Sequence, residues 1–377
     1  MNKNILVILS TILSVLFMLV FIHSMDVYML REHTSDINKQ DMISTEDDSK
    51  GADFITENQL LSTGLLTTST QTIVLVRAAG VPLKPFTAPL TVLRPTMIKS
   101  TPKFLLYKTD YLTPIGDQGI CGACWVFAVS YVLGDRISIH TKGKVRENLS
   151  TQQLLSCFKP DSGCMGNSPE DLSLWLEKSQ YDIKSASEYS YKQLLSSVIT
   201  STCPVDANGV SVLKGSVKTL TKFIKEEHPN QVVLEDNINR MKTELLENGP
   251  FYCAISVYSD LHDFPGNKVY SHSAESSIVG GHAIEIIGYC DSDIDTREGV
   301  NGTGYWIARN SWSSDWPSEA VDKGFFAIKM GTNESGIESR AGSCTPDIPK
   351  SKDYNISAMR YEDFDDFMKY NKFGMFS

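Results

Sequence analysis

Gln118-Gly119-Ile120-Cys121-Gly122-Ala123-Cys124-Trp125, followed directly by the apolar run Val126 to Leu133, is the stretch on which the reading of this chain turns. The run predicts a helix that begins at Cys124. A thiol at a helix N-terminus feels the positive end of the aligned peptide dipoles, which favours thiolate over thiol and makes the sulfur nucleophilic near neutral pH. Attack on an acyl carbon then needs a base, a group that orients the base, and donors for the oxyanion. All three types occur elsewhere: His282 in Gly280-Gly281-His282-Ala283-Ile284, Asn310 in Asn310-Ser311-Trp312, and Gln118 upstream of the cysteine. The order along the chain is Gln, Cys, His, Asn.

Plainer readings of the same residues compete with this one. Cys121 and Cys124 form a C-x-x-C, which serves as half of a zinc site or as a redox pair. Zinc needs a second close pair, and the next cysteines, Cys157 and Cys164, are too far apart. In thioredoxin-like motifs the Trp precedes the first Cys, whereas Trp125 follows the second. A lone His is more often structural than catalytic, but the Gly-Gly-His-Ala setting of His282 and the downstream Asn310 reverse that judgement. His140, His228, His262 and His272 have no such setting and read as surface residues. Trp316 and the pair Phe325-Phe326 read as core.

The ordered set, with the words QGICGACW, GGHAIEIIGY and RNSWSSDW, resembles the papain and cathepsin family of cysteine peptidases over roughly Tyr111 to Gly342. Smaller pieces agree. Leu149-Ser150-Thr151-Gln152-Gln153-Leu154 up to Cys157 is similar to a family helix, with Ser150 a plausible N-cap, and Gly163-Cys164-Met165-Gly166-Asn167 is similar to a family turn. The resemblance implies an α+β fold in two parts: a helical left half opening with the Cys124 helix, and an antiparallel β-barrel right half carrying His282 and Asn310, with a cleft between them. It also implies the roles. Cys124 attacks the peptide carbonyl, His282 pairs with it and protonates the leaving amine, Asn310 orients the imidazole, and Gln118 with the Cys124 backbone N–H holds the oxyanion. Gly166, Asn167, Ala254, Ala283, Trp312 and Arg340 fall where substrate contacts are implied, and Trp312 would also cover the His282–Asn310 bond. No cofactor or metal is expected, and the partners are protein or peptide substrates of a monomeric catalytic domain.

The resemblance also implies disulfides Cys121–Cys164 and Cys157–Cys203. Cys253, Cys290 and Cys344 remain, since Ser335 stands where the usual right-half bridge needs a Cys. These three are expected to be buried, paired differently, or partly paired. Arg340, five positions after Ser335, falls at the floor of the main selectivity pocket, unless it swings out to solvent or pairs with Glu338. Asn167 replaces a Gly, and Asn tolerates a positive φ better than most residues. Val257-Tyr258-Ser259-Asp260 and the word GIES point to the cathepsin B-like branch. That branch's occluding loop has two adjacent His, which this chain lacks, so endopeptidase action is expected over carboxydipeptidase action. A binding scaffold that retains the triad and an acyltransferase on a related frame are the alternative functions.

Around this core the chain sets its own context. It has 377 residues, with 35 Lys plus Arg against 45 Asp plus Glu, a formal net charge of −10, and 41% hydrophobic residues. That composition excludes a disordered or collagenous chain, and the acidic balance argues against nucleic-acid partners. Ile5 to Ile22 is an uncharged, mostly apolar run behind Lys3. A signal peptide uses ~7 to 15 such residues and a membrane anchor roughly 17 to 25, so length favours an anchor with the catalytic part outside the cytoplasm; a secreted or lysosome-like destination is the alternative. Export permits disulfides, and Asn148, Asn301, Asn333 and Asn355 open N-x-S/T triplets. The expected layout is 1–25 anchor or uncleaved signal segment, 26–100 pro-segment or linker, 101–346 papain-like catalytic domain, and 347–377 a polar tail.

Overall fold

In the computed structural model the described residues are 101–360, except 161–162, 200–201, 205–210, 214–216, 221–222, 225–229, 293, 298–299, 321–322 and 349–357. The anchor, the pro-segment, His228, Asn355 and the acidic end of the tail all lie outside them. Among the described residues no helix is long and apolar enough to cross a membrane.

Among the described residues four α-helices run through Cys124–His140 (α1), Thr151–Phe158 (α2), Pro169–Ser179 (α3) and Gln231–Asn248 (α4). Every residue of α1 is buried. Its sequence explains this: the apolar side chains go round the helix without a polar stripe, so only a central position, enclosed on all sides, suits it. The helices have clear starts. Ser150 Oγ accepts from Gln153 N at 3.0 Å, Ser168 Oγ accepts from Glu170 N ahead of a Pro at the first turn, and Asn230 Oδ1 accepts from Val233 N at 3.0 Å. Each side chain satisfies a backbone donor the helix leaves open.

The strands are Phe104–Tyr107 (β1), Ile183–Lys184 (β2), Ser211–Leu213 (β3), Val217–Leu220 (β4), Phe251–Tyr258 (β5), Ile278–Cys290 (β6), Tyr305–Arg309 (β7), Phe325–Lys329 (β8), Ala341–Pro346 (β9) and Ala358–Arg360 (β10). β2 pairs with β3. The rest form one antiparallel sheet in the order β10-β1-β6-β5-β9-β4, with β7 added to β6 and β8 to β7. The 13-residue β6 organises it, running beside β5 for most of its length and beside β7 and β1 at its end. One core, with Phe251, Trp306 and Phe326, lies on one side of this sheet. A second core surrounds α1 and includes Ala254 and Ala283 from the facing side of β5 and β6.

Cys121–Cys164 and Cys157–Cys203 are bridged as expected. Cys253, Cys290 and Cys344 are unbridged and buried. Burial pushes the Cys290 and Cys344 thiols up to about 12, so they are neutral.

Three expectations change. His140 is not a surface residue; it ends α1 at 4% exposure, because the helix is enclosed to its last turn. His262 and His272 are half-buried, stacked on Trp312 and Tyr258. The segment after Pro346 is not only an appendage: Ala358–Arg360 pair with β1 in the register Tyr107↔Ala358.

Candidate active site

Cys124 is the first residue of α1, and the loop before it is held from several sides. The Cys121–Cys164 bridge ties the loop to the Gly163–Met165 turn, and Gly122 N donates to Cys164 O at 2.9 Å. Trp125 Nε1 donates to Gly163 O at 3.1 Å. Because Cys121 bonds to Cys164 and not to Cys124, the zinc and redox readings of this C-x-x-C lapse. Gly119 is required where it stands: its φ is +57°, and a Cβ there would lie 2.1 Å from Leu194 O.

Gln118 is fully buried. Its Nε2 donates to Cys121 O at 3.0 Å, its Oε1 accepts from Ser311 Oγ at 2.8 Å, and its backbone carbonyl accepts from Tyr191 Oη at 2.9 Å.

His282 comes from β6 and Asn310 from the residue after β7. They meet at 2.7 Å, His282 Nε2 to Asn310 Oδ1. The same Oδ1 accepts from Ser311 N at 2.7 Å, which fixes the amide: the atom facing both groups is the oxygen. His282 Nε2 therefore carries the hydrogen and donates it, so in the neutral ring Nδ1 holds the basic lone pair. Trp312 lies over the imidazole with ring centroids 4.7 Å apart, and its own flanks are closed by His262 and Trp316. Water is kept from the His282–Asn310 bond, which strengthens it.

Gly166 takes a φ of 92°, so the left-handed position in this turn falls on a glycine and Asn167 carries no backbone strain. Asn167 Oδ1 instead accepts from Ser168 N at 2.8 Å. Ala254 and Ala283 are register partners across β5 and β6, and both are almost fully buried. Trp312 is 1% exposed. Arg340 accepts at its backbone oxygen from Ala254 N at 2.9 Å, and its Nη1 donates to Ser256 Oγ at 3.3 Å. Glu338 is occupied elsewhere, by Trp306 Nε1 and by the backbone N–H groups of Gly331 and Asn333.

Two features escaped the sequence reading. Ser311 binds both Gln118 and Asn310, and its position inside the Asn-Ser-Trp word was the available signal. A buried ionisable group, Asp135, Glu285 and Arg309, links the Cys124 helix to the strands that lead to His282 and Asn310; each of these residues interrupts an apolar stretch.

Residues 102–345 match the family described as papain family cysteine protease. Among curated proteins the chain is similar to "Cathepsin B-like cysteine proteinase 5" of Caenorhabditis elegans, 32% identical over 256 residues, covering 63% of this chain and 70% of the relative. It is also similar to "Gut-specific cysteine proteinase" of the same organism, 30% identical, covering 60% of this chain and 66% of that one. Among solved structures, "proCathepsin B S9 from Trypanosoma congolense" shares the fold with a TM-score of 0.56 at 24% identity, over 77% of this chain and 95% of that one.

Proposed function

The chain belongs to the papain family of cysteine proteases, and on that premise we propose that it is a cysteine endopeptidase, exported or membrane-anchored and made as a zymogen. Cys124 is the nucleophile. His282 takes its proton at Nδ1, so that a thiolate and an imidazolium form together, and later returns a proton to the leaving amine. Asn310 holds the ring in the tautomer and orientation this needs. As the thioester forms and is hydrolysed, the Cys124 backbone N–H and the second Nε2 hydrogen of Gln118 stabilise the oxyanion. The observation that carries this reading is the Asn310 Oδ1 contact with His282 Nε2, because it commits that nitrogen and leaves Nδ1 as the base.

Endopeptidase action is favoured because no two histidines of the chain are adjacent, which removes the usual means of gripping a substrate C-terminus. The segment 26–100 acts as the pro-segment, since a preformed thiolate would otherwise act during synthesis, and the run 5–22 directs export and remains as an anchor. Gly166, Asn167, Ala254, Ala283 and Arg340 shape the substrate side. With its backbone beside Ala254 and its guanidinium at Ser256, Arg340 favours a carboxylate side chain two residues before the cut bond.

A peptidyl epoxide that alkylates thiolates tests the assignment. Labelling confined to Cys124, together with hydrolysis of a peptide amide, supports it. Labelling without hydrolysis points to a transferase, and no labelling of the processed chain sinks it.

A further inference from the structure

Where α1 packs on the sheet, three buried ionisable side chains have no part in the reaction steps above. Arg309, Asp135 and Glu285 are all fully buried. Arg309 Nη1 donates to Asp135 Oδ2 at 2.8 Å and lies 3.3 Å from Glu285 Oε2. Its Nη2 donates to the carbonyls of Thr113 and Pro114, both at 2.7 Å, and its guanidinium sits 3.5 Å above the Tyr131 ring. Asp135 accepts two more bonds, from Thr113 N at 2.7 Å and Thr113 Oγ1 at 2.6 Å. Glu285 is treated differently: its Oε1 is buried with no hydrogen-bond partner among the described residues.

One guanidinium thus faces two carboxyls. The remaining groups facing Glu285 are Asp135 and Tyr131 on α1, Tyr252 opposite it on β5, and Cys344 on β9. Burial pushes Tyr131 and Cys344 up to about 12 and Tyr252 well above its usual value, so all three are neutral. Arg136, next to Asp135, is engaged by Glu244 at 2.8 Å. Among the described residues no second cation balances a second carboxylate, and an uncompensated buried charge is strongly disfavoured. Burial pushes both carboxyls up, Glu285 well above the usual carboxylate range. Asp135, with three donors, holds the negative charge. Glu285, with an orphaned oxygen, holds the proton.

The placement matters. Asp135 rides on the helix that starts at Cys124, Glu285 lies three residues past His282 on β6, and Arg309 directly precedes Asn310. We propose that Arg309, Asp135 and Glu285 are positioning residues for the cysteine-peptidase reaction: a charge-balanced buried clamp, with Glu285 as a neutral acid, that holds the Cys124 helix against the strands carrying His282 and Asn310. The positioning role rests on the proposed peptidase activity; the protonation of Glu285 does not.

Between about 4.5, the ordinary Glu value, and the higher value in the fold, the folded protein binds a proton that the unfolded chain has released. This contribution to stability is full below that window and falls as pH rises through it.

The test has two arms. In the full chain carrying Cys124→Ala, thermal unfolding is followed from about pH 4 to about pH 8 with and without Glu285→Gln, which keeps the shape of the neutral acid. The variant's melting temperature should rise relative to its parent as pH increases; parallel curves would overturn the neutral-acid assignment. In the active enzyme, Arg309→Lys and Asp135→Asn should lower kcat per folded molecule by about tenfold or more with KM within about threefold, and the Glu285→Gln to wild-type kcat ratio should stay level while the folded acid keeps its proton and rise with pH only beyond that point. Losses that merely follow the folded fraction measured by circular dichroism would reduce the clamp to a structural role. If the Asp135 variant does not fold, the pH dependence of the Glu285 variant decides alone. A wild type inert to peptide and epoxide would sink the peptidase reading and the positioning role with it, while the unfolding arm would still judge the charge assignment.

Discussion

Ser311 and Gln118 are joined twice: Gln118 N donates to the Ser311 carbonyl at 2.8 Å, and Ser311 Oγ donates to Gln118 Oε1 at 2.8 Å. The second bond occupies the side-chain oxygen and so turns Nε2 toward the Cys121 carbonyl and the loop before Cys124. The residue beside the His-orienting amide therefore also sets the direction of the proposed oxyanion donor.

Ser311→Ala should let the Gln118 amide rotate and lower kcat about three- to tenfold with KM little changed, while Gln118→Ala, which deletes the donor, should cost about a hundredfold or more. Steady-state kinetics on one peptide amide would compare them. A Ser311→Ala enzyme with wild-type kcat would mean that the Cys121 carbonyl alone orients the amide.

Asn310→Ala should reduce kcat less than His282→Ala, because a base held loosely still acts and a missing one does not. The folded spectrum should survive in both. If Asn310→Ala matched His282→Ala and also unfolded, its main part would be to hold the β7 end, where Asn310 N donates to Gly324 O.

How much of this was legible beforehand depended on range. The Cys124, His282 and Asn310 words are local, because a helix start, a Gly-Gly approach and an Asn-Ser-Trp turn must each be written in adjacent residues. Arg309 and Asp135 are 174 positions apart, and nothing near either one names its partner. The three residues of β10, Ala-Met-Arg, carry no alternation, so only the free edge of β1 makes them a strand. His140 read as exposed because burial on every side of α1 comes from its neighbours and not from its own last turn.

Cys124→Ala should abolish hydrolysis and leave the denaturation midpoint nearly unchanged, since the residue is bridged to nothing. Cys121→Ala removes the bond to Cys164 and should lower stability by ~2 kcal/mol or more, with an upper range of about 5 in small domains. Chemical denaturation of both variants checks the contrast; equal midpoints would deny the bridge a stabilising role.

Arg340→Ala should shift the preferred residue two places before the cut from Glu or Asp toward Leu, Val or Phe. A peptide library profiled against both enzymes reads this directly. Identical profiles would mean that the contact with Ser256 keeps the guanidinium away from substrate, and the peptidase assignment would be untouched.

The strand order has a bearing on how the chain comes to be made. β1 is an interior strand, flanked by β6 and β10, and the bond from Tyr289 Oη to Pro102 O spans 187 positions. During translation the apolar segment Phe-Leu-Leu-Tyr is therefore finished long before either neighbour exists, and it must wait with both edges open. Such long-range closure is slow, and an open apolar strand is where newborn chains stick to one another. Whatever directly precedes Phe104 is best placed to shelter it in the meantime, so the sequence upstream of the domain should bear on the yield of folded protein as well as on the restraint proposed for it.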